Sequence, residues 1–180
     1  GGWETTANVA SAAQILTILA LAVADSDKLV QMDVKSAFTQ VKLDDGQSIW
    51  HRPLLGFPDE DNKGLYLELL HHLYGHPEAN RAWMRYWVKL LHAYGFKSAD
   101  RNDTVFYYEK GSAHIRIATI VDDSVISYNN DVVFDDFRRY IESHVPVAVD
   151  ELSMMCGLRV RYARENGVLT VDQQDYIESK

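Results

Sequence analysis

Short runs in which apolar and polar residues alternate predict β-strands in two distant parts of the chain. Residues 29–34 alternate in this way, and Asp33 lies near the end of the run. Residues 115–121 form a second run of β-formers, which is followed directly by Asp122 and Asp123. More β-formers come after these two acids, so the pattern predicts a hairpin with two carboxylates at its tip.

Three longer stretches predict helices. Residues 15–24 are almost entirely apolar and follow a capping box formed by Ser11 and Gln14. That run is too short to span a bilayer, so we expect a helix packed on the sheet that carries Asp33. Residues 77–94 and 131–143 show a helical period with one apolar face. The apolar stripe of the longer one consists of Trp83, Trp87, Leu90, Leu91 and Tyr94.

The order of these elements predicts an α+β fold, with an antiparallel sheet and helices packed on one face. Asn166-Gly167 is a strong hairpin signal near the end of the chain, and Asp44-Asp45-Gly46 is typical of a structural turn. Residues 53–63 are expected to form a loop. No repeat or low-complexity linker divides the sequence, so we expect a single domain over residues 1–180.

Composition narrows the class of protein. The chain has 180 residues, of which 47% are hydrophobic, enough for a sizeable core. Its single cysteine, Cys156, excludes a disulfide within the chain and fits a reducing compartment. The formal charge is -8, a poor overall footprint for a nucleic-acid binder, so any template contact is expected to come from a local patch or from parts of the protein outside this sequence. We expect neither a signal peptide nor a transmembrane segment in these residues.

Asp33, Asp122 and Asp123 are candidates for a metal site. Carboxylates from two β elements suit hard divalent cations such as magnesium, which prefers oxygen ligands. Two such ions can stabilise the attacking and the leaving oxygen of a phosphoryl transfer. The alternative is structural, because an isolated Asp-Asp turn is usually a solvated turn and an isolated Asp at a strand end usually a cap.

Two further groups of side chains have alternative interpretations. Arg81, Arg85 and Lys89 recur every four residues, so they either follow a phosphate backbone or form a solvated helix face. The three histidines at 71, 72 and 76 lack the partner spacing of a zinc site and are interpreted as ordinary polar positions.

An ordered set of motifs resembles the reverse transcriptase of copia-type retrotransposons. The resemblance extends from about Trp3 to the last residue, and its specificity lies in the order of the motifs. The matching blocks are Gln31-Met32-Asp33-Val34-Lys35-Ser36-Ala37-Phe38, Arg52-Pro53-Leu54-Leu55-Gly56-Phe57, Leu73-Tyr74-Gly75, Arg81-Ala82-Trp83, Gly95-Phe96-Lys97-Ser98, Val121-Asp122-Asp123, Cys156-Gly157-Leu158-Arg159-Val160 and Gln173-Gln174-Asp175-Tyr176-Ile177.

The resemblance implies the palm of a right-hand polymerase, which transfers a nucleotide from a deoxynucleoside triphosphate to a primer 3′-hydroxyl. It implies that Asp33 and Asp122 hold two magnesium ions, for which manganese can substitute. By the same resemblance Asp123 assists, and the backbone carbonyl of Val34 is a further ligand.

The resemblance also implies a nucleotide site that includes Ala37, Phe38, Glu78 and Arg81. Phe38 would lie under the sugar and exclude a 2′-hydroxyl, whereas from the residues alone an aromatic just after a strand is more often part of the core. One segment departs from the family pattern. Pro77 and Glu78 replace a Lys and a Gln, which removes two donors near the expected phosphates and bases.

The family's partners are an RNA or DNA template-primer, deoxynucleotides and the other Pol domains. The resemblance implies that most of the fingers precede Trp3, that the thumb and RNase H follow Lys180, and that reverse transcription takes place in cytoplasmic virus-like particles, without a membrane partner. We therefore expect the 180 residues alone to polymerise poorly. Two alternatives stay open: a decayed or repurposed module that acts through protein contacts, and another palm-fold phosphotransferase such as a nucleotidyl cyclase.

Overall fold

The computed structural model describes residues 8–43, 48–52, 66–76, 78–174 and 177. Several sequence-based predictions lie outside the described residues. They are the Asp44-Asp45-Gly46 turn, the loop at 53–63, Pro77 and most of the helix expected to begin at Gln173.

Three α-helices form where the sequence predicts them. They are α1 (Ala12–Ala24), α2 (Ala79–Tyr94) and α3 (Asp131–Glu142), and two short 3-10 helices cover Ala37–Gln40 and Arg164–Asn166. The capping box is confirmed, because the Gln14 N–H donates to the Ser11 hydroxyl and the Gln14 side chain accepts from the Ser11 N–H. Gly95 ends α2 at a φ of 119°, a conformation that favours glycine. Among the helices of the described residues, none combines the length and apolarity needed to cross a membrane.

The strands of the described residues form one large sheet and two small ones. They are β1 (Lys28–Val34), β2 (Ile49–His51), β3 (Leu67–Leu69), β4 (Lys97–Ser98), β5 (Val105–Lys110), β6 (Ala113–Ile120), β7 (Asp123–Tyr128), β8 (Val147–Glu151), β9 (Met154–Met155), β10 (Leu158–Ala163) and β11 (Val168–Asp172). The large sheet has the order β4-β5-β6-β7-β1-β8, with antiparallel neighbours. The small sheets are β11-β10-β9 and β2-β3. The predicted α+β class with an antiparallel sheet is confirmed.

The helices are distributed over both faces of the large sheet. On one face, α2 and α3 pack against a core that includes Met32 and Ile126. On the other face, α1 and the small β9–β11 sheet pack against Leu29 and Val125. The expectation that helices share one face therefore holds for α2 and α3 but not for α1. The physical reason is that the central strands β1, β6 and β7 carry apolar residues on both faces, so both faces need a cover.

The position of β1 in the sheet determines the surroundings of Asp33. This strand lies between β7 and β8, so it is paired on both sides. Its register with β7 places Val30 opposite Ile126 and Asp33 opposite Asp123. The acid of the first predicted strand thus meets the acids of the predicted hairpin.

Candidate active site

Asp33, Asp122 and Asp123 lie together at one end of the large sheet. Asp33 and Asp123 are directly opposite each other in the antiparallel pair of β1 and β7, an arrangement that directs both side chains to the same side of the sheet. Asp122 occupies the turn between β6 and β7, and its carbonyl accepts the Val34 N–H at 3.0 Å. All three side chains are half-buried. The structure therefore brings together three residues that are far apart in the sequence.

The turn that carries Asp122 has an unusual backbone conformation. Val121 has a φ of 59°, in the left-handed region that a β-branched residue rarely adopts. The buried Trp83 of α2 holds this residue, because its indole N–H donates to the Val121 carbonyl at 2.7 Å. Its neighbour Trp87 stacks on it at 5.8 Å and donates to the Thr119 hydroxyl at 3.1 Å. The core of α2 therefore fixes the conformation of the acidic turn.

The acids repel one another. Burial raises the pKa of Asp122 above its ordinary value, and the charges of Asp123 and Asp33 raise it further, while a hydrogen bond from its own backbone N–H opposes the shift. Each added negative charge at this end of the sheet thus makes the next one less favourable. A bound cation would relieve this repulsion.

Two side chains partly compensate the acids. The Lys35 ammonium forms an ion pair with Asp33, and the Gln31 amide donates to Asp123 at 3.1 Å. The hydrogen bond and the charge of Asp33 raise the pKa of Lys35, and the more distant charges of Asp150 and Asp123 act in the same direction. One ammonium group therefore faces several carboxylates.

The donor atoms of this site fit magnesium, since three carboxylates supply only oxygen. The backbone carbonyl of Val34, the predicted fourth donor, is also an oxygen. In the present conformation the carboxylate oxygens of Asp33, Asp122 and Asp123 do not all lie within 4.8 Å of one another. The ligand atoms of a different group of residues, described below, do. Lys35 and Gln31 hold two of the three carboxylates in this conformation.

The predicted sugar-site residue Phe38 lies beside the acids in the 3-10 helix Ala37–Gln40. Its half-buried ring packs against the core, and the centroid lies 4.5 Å from that of Tyr74, with the planes tilted by 57°. The Tyr74 hydroxyl accepts the backbone N–H of the buried Ala37. Burial raises the pKa of Tyr74, and the charges of Asp122 and Asp33 raise it further.

Tyr74 is a site residue that the sequence did not single out, although its motif contributed to the resemblance. The residue is 58% exposed, so part of its surface is open to a ligand. The other predicted nucleotide-site residues lie at the start of α2, where Glu78 immediately precedes the helix and Arg81 is exposed in its first turn. Arg85 and Lys89 are exposed along the same helix, as predicted for a row of cations.

Comparisons with known proteins identify the family of this chain. Residues 3–180 match the family described as reverse transcriptase (RNA-dependent DNA polymerase). The chain belongs to the reverse transcriptase family. Two curated relatives are the retrovirus-related Pol polyproteins from transposons RE1 and RE2 of Arabidopsis thaliana. They are 31% identical to this chain over 127 and 130 residues, which cover 71% and 72% of the chain but 8% and 9% of the relatives. The resemblance to a copia-type reverse transcriptase is confirmed.

The chain spans less than a tenth of the length of these relatives. They are Pol polyproteins, which combine several domains in one polypeptide. Reverse transcriptases generally use divalent metal ions, and the oxygen donors of the acidic turn and of β1 fit that chemistry.

This reverse transcriptase domain contains a second acidic cluster, which the sequence analysis missed. Ligand atoms of Asp25, Asp27 and His114 lie within 4.8 Å of one another. Asp27 is fully buried, and its carboxylate pairs with His114 Nε2 at 2.9 Å and with Arg116 Nη1 at 3.1 Å. Arg116 also pairs with Asp25. The guanidinium group of Arg116 already pairs with both acids, so the cluster is a structural network of ion pairs and hydrogen bonds. Because 87 residues separate Asp27 from His114, no local pattern could reveal it.

Proposed function

We propose that this chain is the palm-centred core of an RNA-directed DNA polymerase encoded by a copia-type retrotransposon. The observation that carries the proposal is the position of Asp33 directly opposite Asp123, with Asp122 in the adjoining turn. The reaction joins a deoxynucleotide to a primer. The primer 3′-hydroxyl attacks the α-phosphate, a new phosphodiester bond forms, and pyrophosphate leaves. The primer would be paired with an RNA or DNA template.

Asp33 and Asp122 would hold two magnesium ions, with Asp123 and the Val34 carbonyl as assisting ligands. Manganese would occupy the same positions. When bound, the ions supply positive charge to the attacking and the leaving oxygen of the transfer. The contribution of the protein is to hold the carboxylates in place. Trp83 does this for the acidic turn through its hydrogen bond to Val121.

Phe38 and Tyr74 would form the sugar side of the nucleotide site. Their rings contact each other, and Tyr74 links this pair to the backbone of Ala37. We propose that the Phe38 ring excludes a ribonucleotide by clashing with its 2′-hydroxyl. Arg81 in the first turn of α2, together with Arg85 and Lys89, offers exposed positive charge for a nucleic-acid phosphate backbone.

A second candidate function is a non-enzymatic module that acts through protein contacts. The observation that favours it is the outer side of α1, which carries no charged residue and exposes Leu16 and Leu21. The replacement of the family's Lys and Gln by Pro77 and Glu78 and the formal charge of -8 also favour it. This module would need neither metal nor nucleotide.

The experiment that separates the two functions is a titration with Mg²⁺, and then Mn²⁺, followed by NMR of the backbone amides. Wild type is expected to show saturable shifts at Asp33, Asp122 and Asp123, and Asp122→Asn is expected to lose them. Asp131→Asn is the matched control, because it removes one exposed carboxylate that pairs with Lys28 far from the site. Wild-type protein without a saturable metal site would contradict the polymerase proposal and support the module.

Primer extension tests the activity itself. We expect the 180 residues alone to extend a primer very poorly, because the family places much of the positive charge around the triphosphate in the fingers, and such charge is a large part of phosphoryl-transfer catalysis. Efficient extension by these residues alone would contradict this expectation. It would leave the assignment of the acids unchanged.

A further inference from the structure

Lys35 has a backbone position held by a hydrogen bond next to the acids, and its side chain is exposed. It directly follows β1, and its N–H donates to the Pro146 carbonyl at 2.9 Å. Its side chain is 59% exposed, and its ammonium forms an ion pair with Asp33. The backbone therefore keeps Lys35 beside the site, while the exposed side chain can leave without disturbing the core.

The charges around Lys35 are unbalanced. Its ammonium pairs with Asp33, and the register of β1 and β7 sets a second acid, Asp123, directly opposite Asp33. The other partner of the acids, Gln31, is neutral and contacts Asp123. The ammonium group of Lys35 is thus a positive charge held at Asp33, one of the proposed metal ligands.

We propose that Lys35 is a resident counter-ion of the metal site, which holds Asp33 in the metal-free protein and is displaced when a divalent cation binds. The inference rests on the proposed function, because it takes Asp33 to be a metal ligand. It adds that Lys35 competes with the metal ion for Asp33. The contacts of Lys35 at its backbone and at its ammonium are the observations that support it.

Displacement of Lys35 costs affinity in two ways. The ion pair with Asp33 must break, and the ammonium must stay near an ion of the same charge sign. Removal of the ammonium is therefore expected to tighten metal binding by about threefold to tenfold, the scale of one partly screened charge near a surface site. The gain is expected to shrink as the salt concentration rises, since both costs are electrostatic.

The test is a calorimetric titration of Mn²⁺ into the full 180-residue chain at low and at high salt. Lys35→Met is expected to bind Mn²⁺ about threefold to tenfold more tightly than wild type. Lys35→Arg keeps the charge and is expected to bind like wild type. Lys28→Met is the matched control, because it also removes one lysine from an ion pair, in this case with Asp131. Lys28 lies about 17 Å from Asp33 along β1.

The outcomes separate the inference from the proposed function. If wild type and Lys35→Met bind Mn²⁺ equally, or if Lys35→Met binds less tightly, Lys35 is not a competitor and the inference fails alone. If Lys28→Met gains as much as Lys35→Met, the effect is one of net charge and the inference also fails. If neither wild type nor Lys35→Met binds Mn²⁺, or if Asp33→Asn binds it as well as wild type, the assignment of Asp33 as a metal ligand is wrong. The inference about Lys35 then fails together with the proposed metal site.

Discussion

Two acidic clusters lie near opposite ends of the same strand, and they differ in how their charge is balanced. Before β1, Asp27 is fully buried and pairs with Arg116 and His114. Near the end of β1, Asp33 and two further acids are half-buried and face the single ammonium of Lys35. In the first cluster the guanidinium group of Arg116 pairs with both acids. In the second cluster three carboxylates share one ammonium group.

This difference distinguishes a structural cluster from a candidate functional one better than the number of acids does. Ligand atoms of Asp25, Asp27 and His114 are the more tightly gathered, within 4.8 Å. Yet Arg116 already pairs with both of these acids, so a metal ion there would have to displace a guanidinium group. Compactness alone would therefore select a cluster other than the one that we propose as the metal site. The residual charge at Asp33, Asp122 and Asp123 is what suits a metal ion.

The largest effect is expected for Arg116→Met in the balanced cluster. This change leaves the buried Asp27 carboxylate with His114 as its remaining partner, and breaking a buried ion pair from one side is costly. We expect the free energy of unfolding in urea to fall by about 3 kcal/mol. Arg138→Met is the control, because Arg138 belongs to an exposed pair with Glu142, and its loss is expected to cost less than about 0.5 kcal/mol. Equal losses in the two variants would contradict the structural role of the cluster.

An intermediate effect is expected for Trp83→Phe, which removes the donor to the Val121 carbonyl. We expect a loss of about 1–2 kcal/mol of unfolding free energy, since a hydrogen bond is lost and a buried ring becomes smaller. Trp87→Phe is the matched control, because it loses a similar bond to Thr119. The two variants are expected to lose similar stability, but we expect only Trp83→Phe to weaken Mn²⁺ binding, by several-fold. Equal Mn²⁺ affinities would show that the turn keeps its conformation without Trp83.

The smallest effect is the pH dependence contributed by Asp122. Its folded-state pKa lies above the ordinary value of 3.8, so the ionised group costs stability at neutral pH, and this cost disappears as the pH falls through the folded-state pKa. Wild type is therefore expected to gain stability relative to Asp122→Asn between pH 7 and pH 4, by less than about 1 kcal/mol. Urea unfolding at several pH values measures the difference.

The pKa of Asp172 is shifted in the direction opposite to that of Asp122, so Asp172 provides a comparison for that measurement. The Gln174 N–H and the Arg159 and Arg161 side chains hold the pKa of Asp172 below its ordinary value. Its contribution to stability is therefore present at neutral pH and is lost as the pH falls, so wild type is expected to lose stability relative to Asp172→Asn at acidic pH. The same trend in both variants would contradict the assigned environments.

Local patterns in the sequence predicted most of the secondary structure. The alternation around Asp33, the capping box at Ser11 and the glycine after α2 each depend on residues a few positions apart, so they could be recognised directly. The position of α1 could not. A helix that is almost entirely apolar indicates burial but does not indicate which face of a sheet it covers.

Such local patterns could not predict the contacts that define the candidate site. The bond from Trp83 to Val121 spans 38 residues, and the pairing of Asp33 with Asp123 depends on the register of two distant strands. From the residues alone, the three acids were candidates with a structural alternative, and the family resemblance made them a site. The contact of Tyr74 with Phe38 could not be predicted from local patterns, because 36 positions separate the two residues in the sequence.

The direct opposition of Asp33 and Asp123 has an evolutionary consequence. Successive residues of a strand point to alternate sides, so insertion or deletion of one residue within β1 or β7 would turn an acid away from its partner. Substitution of an apolar residue in these strands keeps the register, whereas a length change of odd number there would separate the acids. The connection between β5 and β6, which includes Gly111 and lies outside this pairing, is where length variation can accumulate without touching the acids.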